Sequence, residues 1–375
     1  MKIKSFEFSM RELAGSMGDF GTLFPLAIGY IVVCGLNPAG FLVMMGIANI
    51  VTGLVYKLPM PIEPMKVLAV VAIAQQWSPS MVYASGFAMG VVWILFAVTG
   101  IIGWIARVTP RSVVRGIQVT LGVLLAIQAA KMIASWWVAG IASILIVLLF
   151  RRNRYAPAAV VLVVLGCTII LIRGQYPEIS PPVISMPILT GFSLGEVWKT
   201  LLLAGFAQIP LTITNATIAT SSLIAKYFPD RPVTERQLSY NQGIMNLVLP
   251  FFGGMPMCHG AGGLAGQYYF GARTGGANII EGLMEVTMGL LLGGSIAGIL
   301  TVFPTAIIGA MMFLVGLELT KCAKDIRLGK DMVALAVTVT VSLISNMALG
   351  FLTGIASHYL IQLIERHKAA EDDER

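Results

Sequence analysis

LPMPIEPMKVLAVVAIAQQ (58–76) and GGMPMCHGAGGLAGQYYFGAR (253–273) are the two stretches that decide the predicted fold. In both, proline or glycine disfavours helix over the first half, and an uninterrupted helical pattern follows. Short apolar segments broken in this way, at corresponding places in two halves of a chain, are the sequence feature that best marks the binding site of a membrane transporter. Each stretch therefore predicts a half-helix that begins inside an apolar medium.

The sequence around the two stretches is repeated. Gly46–Val51 (GIANIV) resembles Gly243–Val248 (GIMNLV), and further along Met60–Pro61 matches Met255–Pro256. Two weaker matches keep the same order along the chain. Because a repeat of seven segments is odd in number, its second copy would enter the membrane from the opposite side. We expect two inverted repeats of seven; chance similarity between apolar helices is the alternative.

The composition requires a lipid environment. Hydrophobic residues make up 57% of the chain and charged residues 11%, whereas soluble domains carry about 25% charged residues. Backbone groups in lipid must be hydrogen-bonded within their own segment, which favours helices. The expected fold class is therefore an all-α integral membrane protein. The apolar runs predict fourteen transmembrane segments, at 12–34, 38–56, 62–77, 80–106, 111–133, 135–150 and 155–172, and at 195–224, 236–252, 259–272, 277–301, 304–321, 331–347 and 349–366.

These segments divide the chain into a first repeat (1–172), an extracytoplasmic connecting loop (173–194), a second repeat (195–366) and a cytoplasmic tail (367–375). With the N-terminus in the cytoplasm, most of the 25 basic residues fall on cytoplasmic ends and loops, as the positive-inside rule requires. The net charge of +7 therefore reflects topology, and no nucleic-acid partner is expected. A multi-pass protein of the cell membrane with both termini cytoplasmic is predicted, without a cleavable signal peptide.

The predicted half-helices supply an anion site. A helix that starts inside the membrane leaves its first N–H groups without partners and places the positive end of its dipole there. Two such ends facing each other suit a tetrahedral dianion, whose oxygens accept hydrogen bonds. The free N–H groups expected are those of Met65, Lys66 and Val67 after Pro64, and those of Gly260, Ala261, Gly262 and Gly263 after His259.

Three charged side chains within the predicted segments bear on this site. Lys66 would add positive potential beside the anion, or it would extend to the cytoplasmic interface, since its segment begins there. Asp19 and Glu63 are candidates to carry a coupling proton, because a bare carboxylate would repel a dianion and protonation removes that repulsion. For Asp19, a structural hydrogen bond inside the helix bundle is the alternative.

Further donors complete the expected site. His259 would donate to the oxyanion or relay a proton, or it would merely cap its helix. Gln208, Thr212 and Asn215 share one face of segment eight and would line the site. Hydrogen bonding between helices is their alternative role.

Four stretches of this sequence resemble a known family. They are similar to the molybdate transporter family, a branch of the sulfate permease (SulP) superfamily, and the resemblance covers essentially the whole membrane domain. The four are ELAGSMGDFGTLFPLAIGY (12–30), PIEPMK (61–66), PLTITNA (210–216) and FGGMPMCHGAGGLAGQYYFGARTGG (252–276).

The resemblance implies a fold of the sulfate permease or uracil permease type, with core and gate domains. It places the substrate between segments three and ten, flanked by one and eight, so that Phe20 and Gly21 of segment one would contact it. That family usually has glutamine where this chain has Glu63, a departure that bears on coupling or on substrate preference. A homodimer is compatible with the resemblance, and no STAS domain is expected.

The function expected is import of molybdate by secondary active transport, coupled to protons and proceeding by alternating access. Sulfate or another oxyanion is the second substrate candidate, since molybdate and sulfate are both tetrahedral dianions. An anion channel and a nucleobase carrier are further alternatives. Neither an enzyme nor a cofactor is expected, because the four cysteines are widely spaced and no catalytic or phosphate-binding motif is present.

Overall fold

A computed structural model describes residues 2–3, 5–150, 158–174, 184–326 and 329–373. The first residues of segment seven (155–157) and part of the connecting loop therefore lie outside the described residues. The α-helices, in chain order, are α1 (Met10–Ser16), α2 (Phe20–Val32), α3 (Pro38–Tyr56), α4 (Lys66–Ala74), α5 (Pro79–Thr99), α6 (Ile102–Val108), α7 (Arg111–Ala134), α8 (Trp137–Phe150), α9 (Ala158–Ile172), α10 (Leu194–Thr200), α11 (Phe206–Leu211), α12 (Thr220–Tyr227), α13 (Glu235–Val248), α14 (Ala261–Phe270), α15 (Gly276–Val302), α16 (Thr305–Lys321), α17 (Lys330–Ile344) and α18 (Met347–Asp373).

Among the described residues, seven helices are long and apolar enough to cross a membrane. A mean hydropathy that is high over a window of about 20 residues is what a membrane-spanning helix requires. Seven such helices indicate a multi-pass membrane protein. The seven are Pro38–Tyr56, Pro79–Thr99, Arg111–Ala134, Leu194–Tyr227, Gly276–Val302, Thr305–Asp325 and Met347–Glu365.

Two of the predicted segments depart from a regular α-helix. Segment four is broken at Gly100, which adopts a left-handed φ of 70° and ends α5. Segment eight is continuous, but two π-helical stretches, Leu201–Gly205 and Thr212–Ala219, replace its α-helical hydrogen bonding. Pro210 lies between them and has no N–H to donate. Such π-helical insertions shift the side chains that follow and often occur at functional sites.

Two short antiparallel ladders correct the expectation of an all-α chain. β1 (Lys2–Ile3) pairs with β2 (Phe6–Glu7), and β3 (Glu63–Pro64) pairs with β4 (Met257–Cys258). The prolines that disfavour helix in the two broken segments leave extended, buried backbone whose polar groups need partners, so the two segments satisfy each other. As a result α4 and α14, which follow β3 and β4, begin next to one another.

α3 and α15 pack through glycines. A Cβ atom added at Gly46 would lie 2.5 Å from the carbonyl oxygen of Gly282, and one added at Gly53 would lie 2.7 Å from that of Gly275. Membrane helices associate through such close van der Waals contact, because lipid tails provide no hydrophobic driving force between them. This interface joins residues 38–56 to residues 276–302.

We expect Gly282→Ala to lower the free energy of unfolding by about 1–3 kcal/mol, the usual cost of overpacking. The added methyl group would collide with the carbonyl oxygen of Gly46 and crowd Ile50. Gly294→Ala on the same helix is the matched control, since a Cβ atom there has no neighbour within 4 Å among the described residues. Equal melting temperatures of the two variants in detergent would contradict the close packing.

Candidate functional site

Three buried asparagines hold the extended segments that precede the two helix starts. Asn246 donates to the carbonyl oxygen of Met257 (2.6 Å) and accepts from its N–H (2.9 Å). Asn278 makes the same two bonds with Met60, at 2.6 and 2.8 Å, and also donates to Asn49 (2.8 Å). Asn49 and Asn246 are the matching asparagines of the repeated GIANIV and GIMNLV motifs. Asn246 therefore bonds its extended segment directly, whereas Asn49 acts on the other one through Asn278.

The start of α4 is capped by a side chain from segment eight. Oε1 of Gln208 accepts hydrogen bonds from the N–H groups of Val67 (2.8 Å) and Leu68 (3.3 Å). Nε2 of Gln208 in turn donates to the hydroxyl oxygen of Thr212 (2.6 Å). Both side chains are about 1% exposed. Gln208 thus links segments three and eight by hydrogen bonds. Hydrogen bonding between helices was the alternative to a role in lining the site.

The prediction of three free N–H groups after Pro64 is wrong for two of them. The N–H of Val67 is bonded to Gln208, and the N–H of Met65 donates to the carbonyl oxygen of Pro256 over 2.9 Å. The physical reason is that a buried backbone donor rarely stays unpaired. The start of α4 is therefore a closed helix end, and the expected symmetry of two open ends is lost.

The start of α14 is more open. No side chain of the described residues caps it at Gly260, and a Cβ atom added at the exposed Gly262 would meet nothing within 4 Å in the described part of the chain. The carboxylate of Glu63 lies on its other side. A Cβ atom at Gly260 would lie 2.7 Å from Oε2 of Glu63, and one at Gly263 would collide with Oε1. Glu63 thus occupies a place where the helix dipole favours an anion.

Glu63 also forms an ion pair with Lys66. Nζ of Lys66 lies 2.5 Å from Oε2 of Glu63, and the two side chains are 19% and 2% exposed. The ammonium group is held at Glu63, which does not agree with a lysine that extends to the membrane interface. While Glu63 is ionised, its charge offsets the positive potential that Lys66 was expected to provide.

A small space lies between this pair and segment eight. Its volume is about 10 Å³, which is room for roughly one water molecule. A tetrahedral oxyanion is several times larger and would need side chains to move. The space is lined by Lys66, Gln208, Leu211, Thr212, Asn215, Ala216 and Cys258.

His259 and Pro64 lie beside this space without lining it. His259 is fully buried, its Nδ1 lies 3.1 Å from the carbonyl oxygen of Pro61, and its ring meets the edge of Tyr56 at 6.1 Å between centroids. Pro64 is part of the β3–β4 ladder. Both residues therefore shape the backbone at the helix starts in this conformation.

Ala261 and Phe20, two further residues of the predicted site, each begin a helix. Ala261 is the first residue of α14 and is half-buried. Phe20 begins α2 and packs against Phe24, with 4.5 Å between ring centroids. The side chain of Asp19, and Gly21 beyond its backbone, lie outside what the structure describes.

Sequence reasoning missed Cys258 as part of the site. A lone cysteine in an apolar stretch carries no signal of its own. In the structure it stands opposite Glu63 in the β3–β4 ladder and lines the small space. The matching Met60–Pro61 and Met255–Pro256 motifs were the one sequence signal that could have placed Cys258 opposite Glu63.

Replacement of Gln208 by leucine is expected to destabilise the protein by about 1–3 kcal/mol, because two buried N–H groups at the start of α4 would lose their acceptor. Thr212→Val removes only the Gln208–Thr212 bond and leaves the cap in place, so its effect should be smaller. Thermal unfolding in detergent measures both. A Gln208→Leu variant as stable as Thr212→Val would show that the cap contributes little.

Comparison with protein families gives one matching family model. It is described as a molybdate transporter of the MFS superfamily, and it matches residues 11–125 and 200–319. Both broken segments and α11 lie within these ranges, so the match includes the residues that line the small space.

Curated relatives match over nearly the whole chain. The chain is 32% identical to molybdate transporter 1 of Arabidopsis thaliana, over 93% of this chain and 87% of that protein. It is 31% identical to molybdate transporter 2 of the same plant, over 94% and 87%. Molybdate transporter 1 of Chlamydomonas reinhardtii is 26% identical over 97% and 93%.

Solved structures of similar fold are those of anion transporters at low sequence identity. SLC26A9 superposes with a TM-score of 0.72 at 15% identity, over 97% of this chain and 66% of that one. The transmembrane domain of the cyanobacterial bicarbonate transporter BicA gives a TM-score of 0.65 at 16% identity, over 94% and 96%. The fold is therefore of the type seen in SLC26A9 and BicA, as the resemblance to the sulfate permease superfamily implies.

Proposed function

This chain belongs to the molybdate transporter family, and on that premise we propose that it imports molybdate across the cell membrane by secondary active transport. The observation that carries the proposal is the β3–β4 ladder. It brings the open start of α14 next to Lys66 and the buried Glu63. A helix start and a lysine side chain together supply N–H donors and positive charge, which a tetrahedral oxyanion requires.

The architecture that we propose has fourteen transmembrane segments in two inverted repeats, 1–172 and 195–366. They are joined by an extracytoplasmic loop (173–194), and the tail (367–375) is cytoplasmic. In this arrangement α4 and α14 are the half-helices of segments three and ten. Segments 1–4 and 8–11 form a core that moves against a gate of segments 5–7 and 12–14, so that the site faces each side of the membrane in turn. The common fold with SLC26A9 and BicA supports this arrangement.

In the proposed mechanism, Glu63 is an internal counter-anion. While it is ionised, it holds Lys66 and lies against the start of α14, and it repels an arriving dianion. Protonation of Glu63 releases Lys66 and the helix start together and leaves both for the oxyanion. The small space beside Lys66 then widens as the pair separates. A proton and an oxyanion move inward in the same cycle, which is symport; Asp19 is the second candidate for the proton carrier.

Sulfate or a general oxyanion is the second candidate substrate. Both ions present the same tetrahedral set of acceptor oxygens, so the donors around Lys66 would serve either. An anion channel differs from this proposal in that it cannot concentrate its substrate, so transport against a gradient separates the two. A nucleobase carrier would need aromatic contacts to a neutral ring, and the side chains around the small space beside Lys66 are aliphatic, polar or cationic.

The test is uptake of labelled molybdate into vesicles that contain the purified protein, with and without an inward proton gradient and with sulfate as competitor. We expect saturable uptake that the gradient stimulates and that excess sulfate barely inhibits. Equal competition by sulfate would reassign the protein as a general oxyanion carrier. Absence of uptake of either ion by folded protein would overturn the proposed function, and uptake that never exceeds equilibrium under a gradient would indicate a channel.

A further inference from the structure

A second, larger cavity adjoins the candidate site. Its volume is about 550 Å³, and it lies between the first turns of α7 and the π-helical part of segment eight. Leu211 and Asn215 line both this cavity and the small space beside Lys66. An ion that left the candidate site past Asn215 would therefore enter this cavity.

Two arginines give the cavity positive charge. Arg111 is the first residue of α7, Arg115 follows one turn later, and both line the cavity. Thr214 and Asn215 provide polar side chains on the opposite wall. The guanidinium group presents several N–H donors in a plane and matches the oxygens of an oxyanion. The cavity therefore has the chemistry to receive a tetrahedral dianion.

Arg115 already holds a carboxylate. Its Nη2 and Nε atoms lie 2.7 and 3.1 Å from the carboxylate oxygens of Asp325, and its Nη1 donates to Gln118 over 2.9 Å. Asp325 belongs to the 3₁₀ turn that follows α16, and its side chain is 48% exposed. The two-oxygen contact of Asp325 with Arg115 is the one that an oxyanion would make. A half-exposed carboxylate can leave and return, because water replaces part of its hydrogen bonding.

We propose that this cavity is a second oxyanion site, on the predicted cytoplasmic side, through which the substrate is released. Arg111 and Arg115 bind the departing ion, and Asp325 competes with it for Arg115. This competition allows release. A dianion bound by two arginines without a competing carboxylate would be retained, whereas the carboxylate of Asp325 displaces it from Arg115. This inference rests on the proposed transport of an oxyanion and adds a binding site to it.

The experiment compares the two faces of the membrane. Uptake of labelled molybdate is measured in right-side-out and inside-out vesicles, so that the KM on each side is obtained separately. For Arg115→Gln we expect the cytoplasmic KM to rise by about tenfold, the change expected for loss of a charged hydrogen-bonding group. The external KM should stay within about twofold, since the small central site keeps its own ligands.

The opposite change should follow for Asp325→Asn, because it frees Arg115. Its cytoplasmic KM should fall and its maximal rate of import should decrease, as release becomes slow. A purely structural role of the Arg115–Asp325 pair would give both variants the same direction of change. Lys330→Gln is the control, because Lys330 forms an exposed pair with Glu365 (3.1 Å) and does not line the cavity.

Each outcome decides the proposal. Opposite shifts of the cytoplasmic KM, with Lys330→Gln like wild type, support it. Three outcomes would overturn the second site while the wild-type protein still transports molybdate. They are equal shifts of the KM on both faces, shifts of the cytoplasmic KM in the same direction for the two variants, and no shift of the KM at all. A wild-type protein that transports no oxyanion from either face overturns the proposed function itself, and the second site with it. The melting temperatures of all variants identify any that fail to fold. If Arg115→Gln fails to fold, Arg115→Lys, which keeps the charge, replaces it and should raise the cytoplasmic KM by a smaller factor.

Discussion

Molybdate uptake by a Glu63→Gln variant is expected to lose its stimulation by an inward proton gradient. Glutamine keeps the size of the side chain and removes the charge that offsets Lys66, so the variant mimics the protonated state at every pH. At neutral and alkaline pH its apparent affinity for molybdate should rise by about tenfold or more. Removal of one charge about 4 Å from a dianion is worth about 2 kcal/mol even at the dielectric constant of water, which exceeds the ~1.4 kcal/mol of a tenfold change in affinity.

The measurement is uptake as a function of external pH, with the gradient imposed or collapsed. Asp19→Asn is the parallel variant, since Asp19 is the second candidate for the coupling proton. If Glu63→Gln retains the full pH dependence and Asp19→Asn loses it, the proton is carried by Asp19. If both variants keep the pH dependence of the wild type, neither acid is the proton carrier and the coupling part of the proposed mechanism fails.

Lys66→Met is expected to lower the free energy of unfolding by about 3–5 kcal/mol, the usual effect of removing one member of a buried ion pair. The variant leaves the carboxylate of Glu63, which is 2% exposed, without the ammonium group that compensates its charge. Uptake should be lost as well, because the proposed site then lacks its cation.

The double variant Glu63→Gln/Lys66→Met separates charge from packing. It removes both members of the pair, so we expect it to recover most of the stability that Lys66→Met loses. Melting temperatures of the wild type, the two single variants and the double variant, measured in the same detergent, complete the cycle. A double variant that melts as low as Lys66→Met would show that lost packing of the lysine stem, rather than the unpaired charge, causes the instability.

The place of the candidate site was predictable from sequence because it depends on local chemistry. Proline at positions 61, 64 and 256 prevents helix. The glycines at 260, 262 and 263 follow directly and allow close approach to the backbone. These constraints act over a few residues, so they locate the broken segments and the start of α14 without knowledge of the rest of the chain.

The partners of the two helix starts were not predictable in the same way. Gln208, which caps α4, is 141 residues from Val67 in sequence. A glutamine in an apolar helix equally suits a ligand contact or a bond to any of several neighbouring helices. The symmetry of the two broken segments suggested two open helix starts, whereas the β3–β4 ladder and Gln208 close one of them.

Glu63 shows most clearly what the fold decides. Its position within an apolar segment made it a candidate proton carrier, and its spacing of three residues from Lys66 is compatible with an ion pair on any helix. The residue lies instead in an extended strand, and the ladder with β4 places its carboxylate next to Gly260 and Gly263. Its role as a carboxylate at a helix start depends on residues about 200 positions away.

By itself the sequence determined that the chain is a multi-pass membrane protein, where segments three and ten are interrupted, and which family the chain belongs to. Each of these follows from composition, from residues that cannot continue a helix, or from long motifs. The tertiary structure alone decided which buried donor meets which acceptor, and therefore that one helix start is capped while the other lies against Glu63. The physical reason is that every buried polar group must find a partner somewhere in the fold, and the sequence offers many partners between which only the packing of the whole chain can choose.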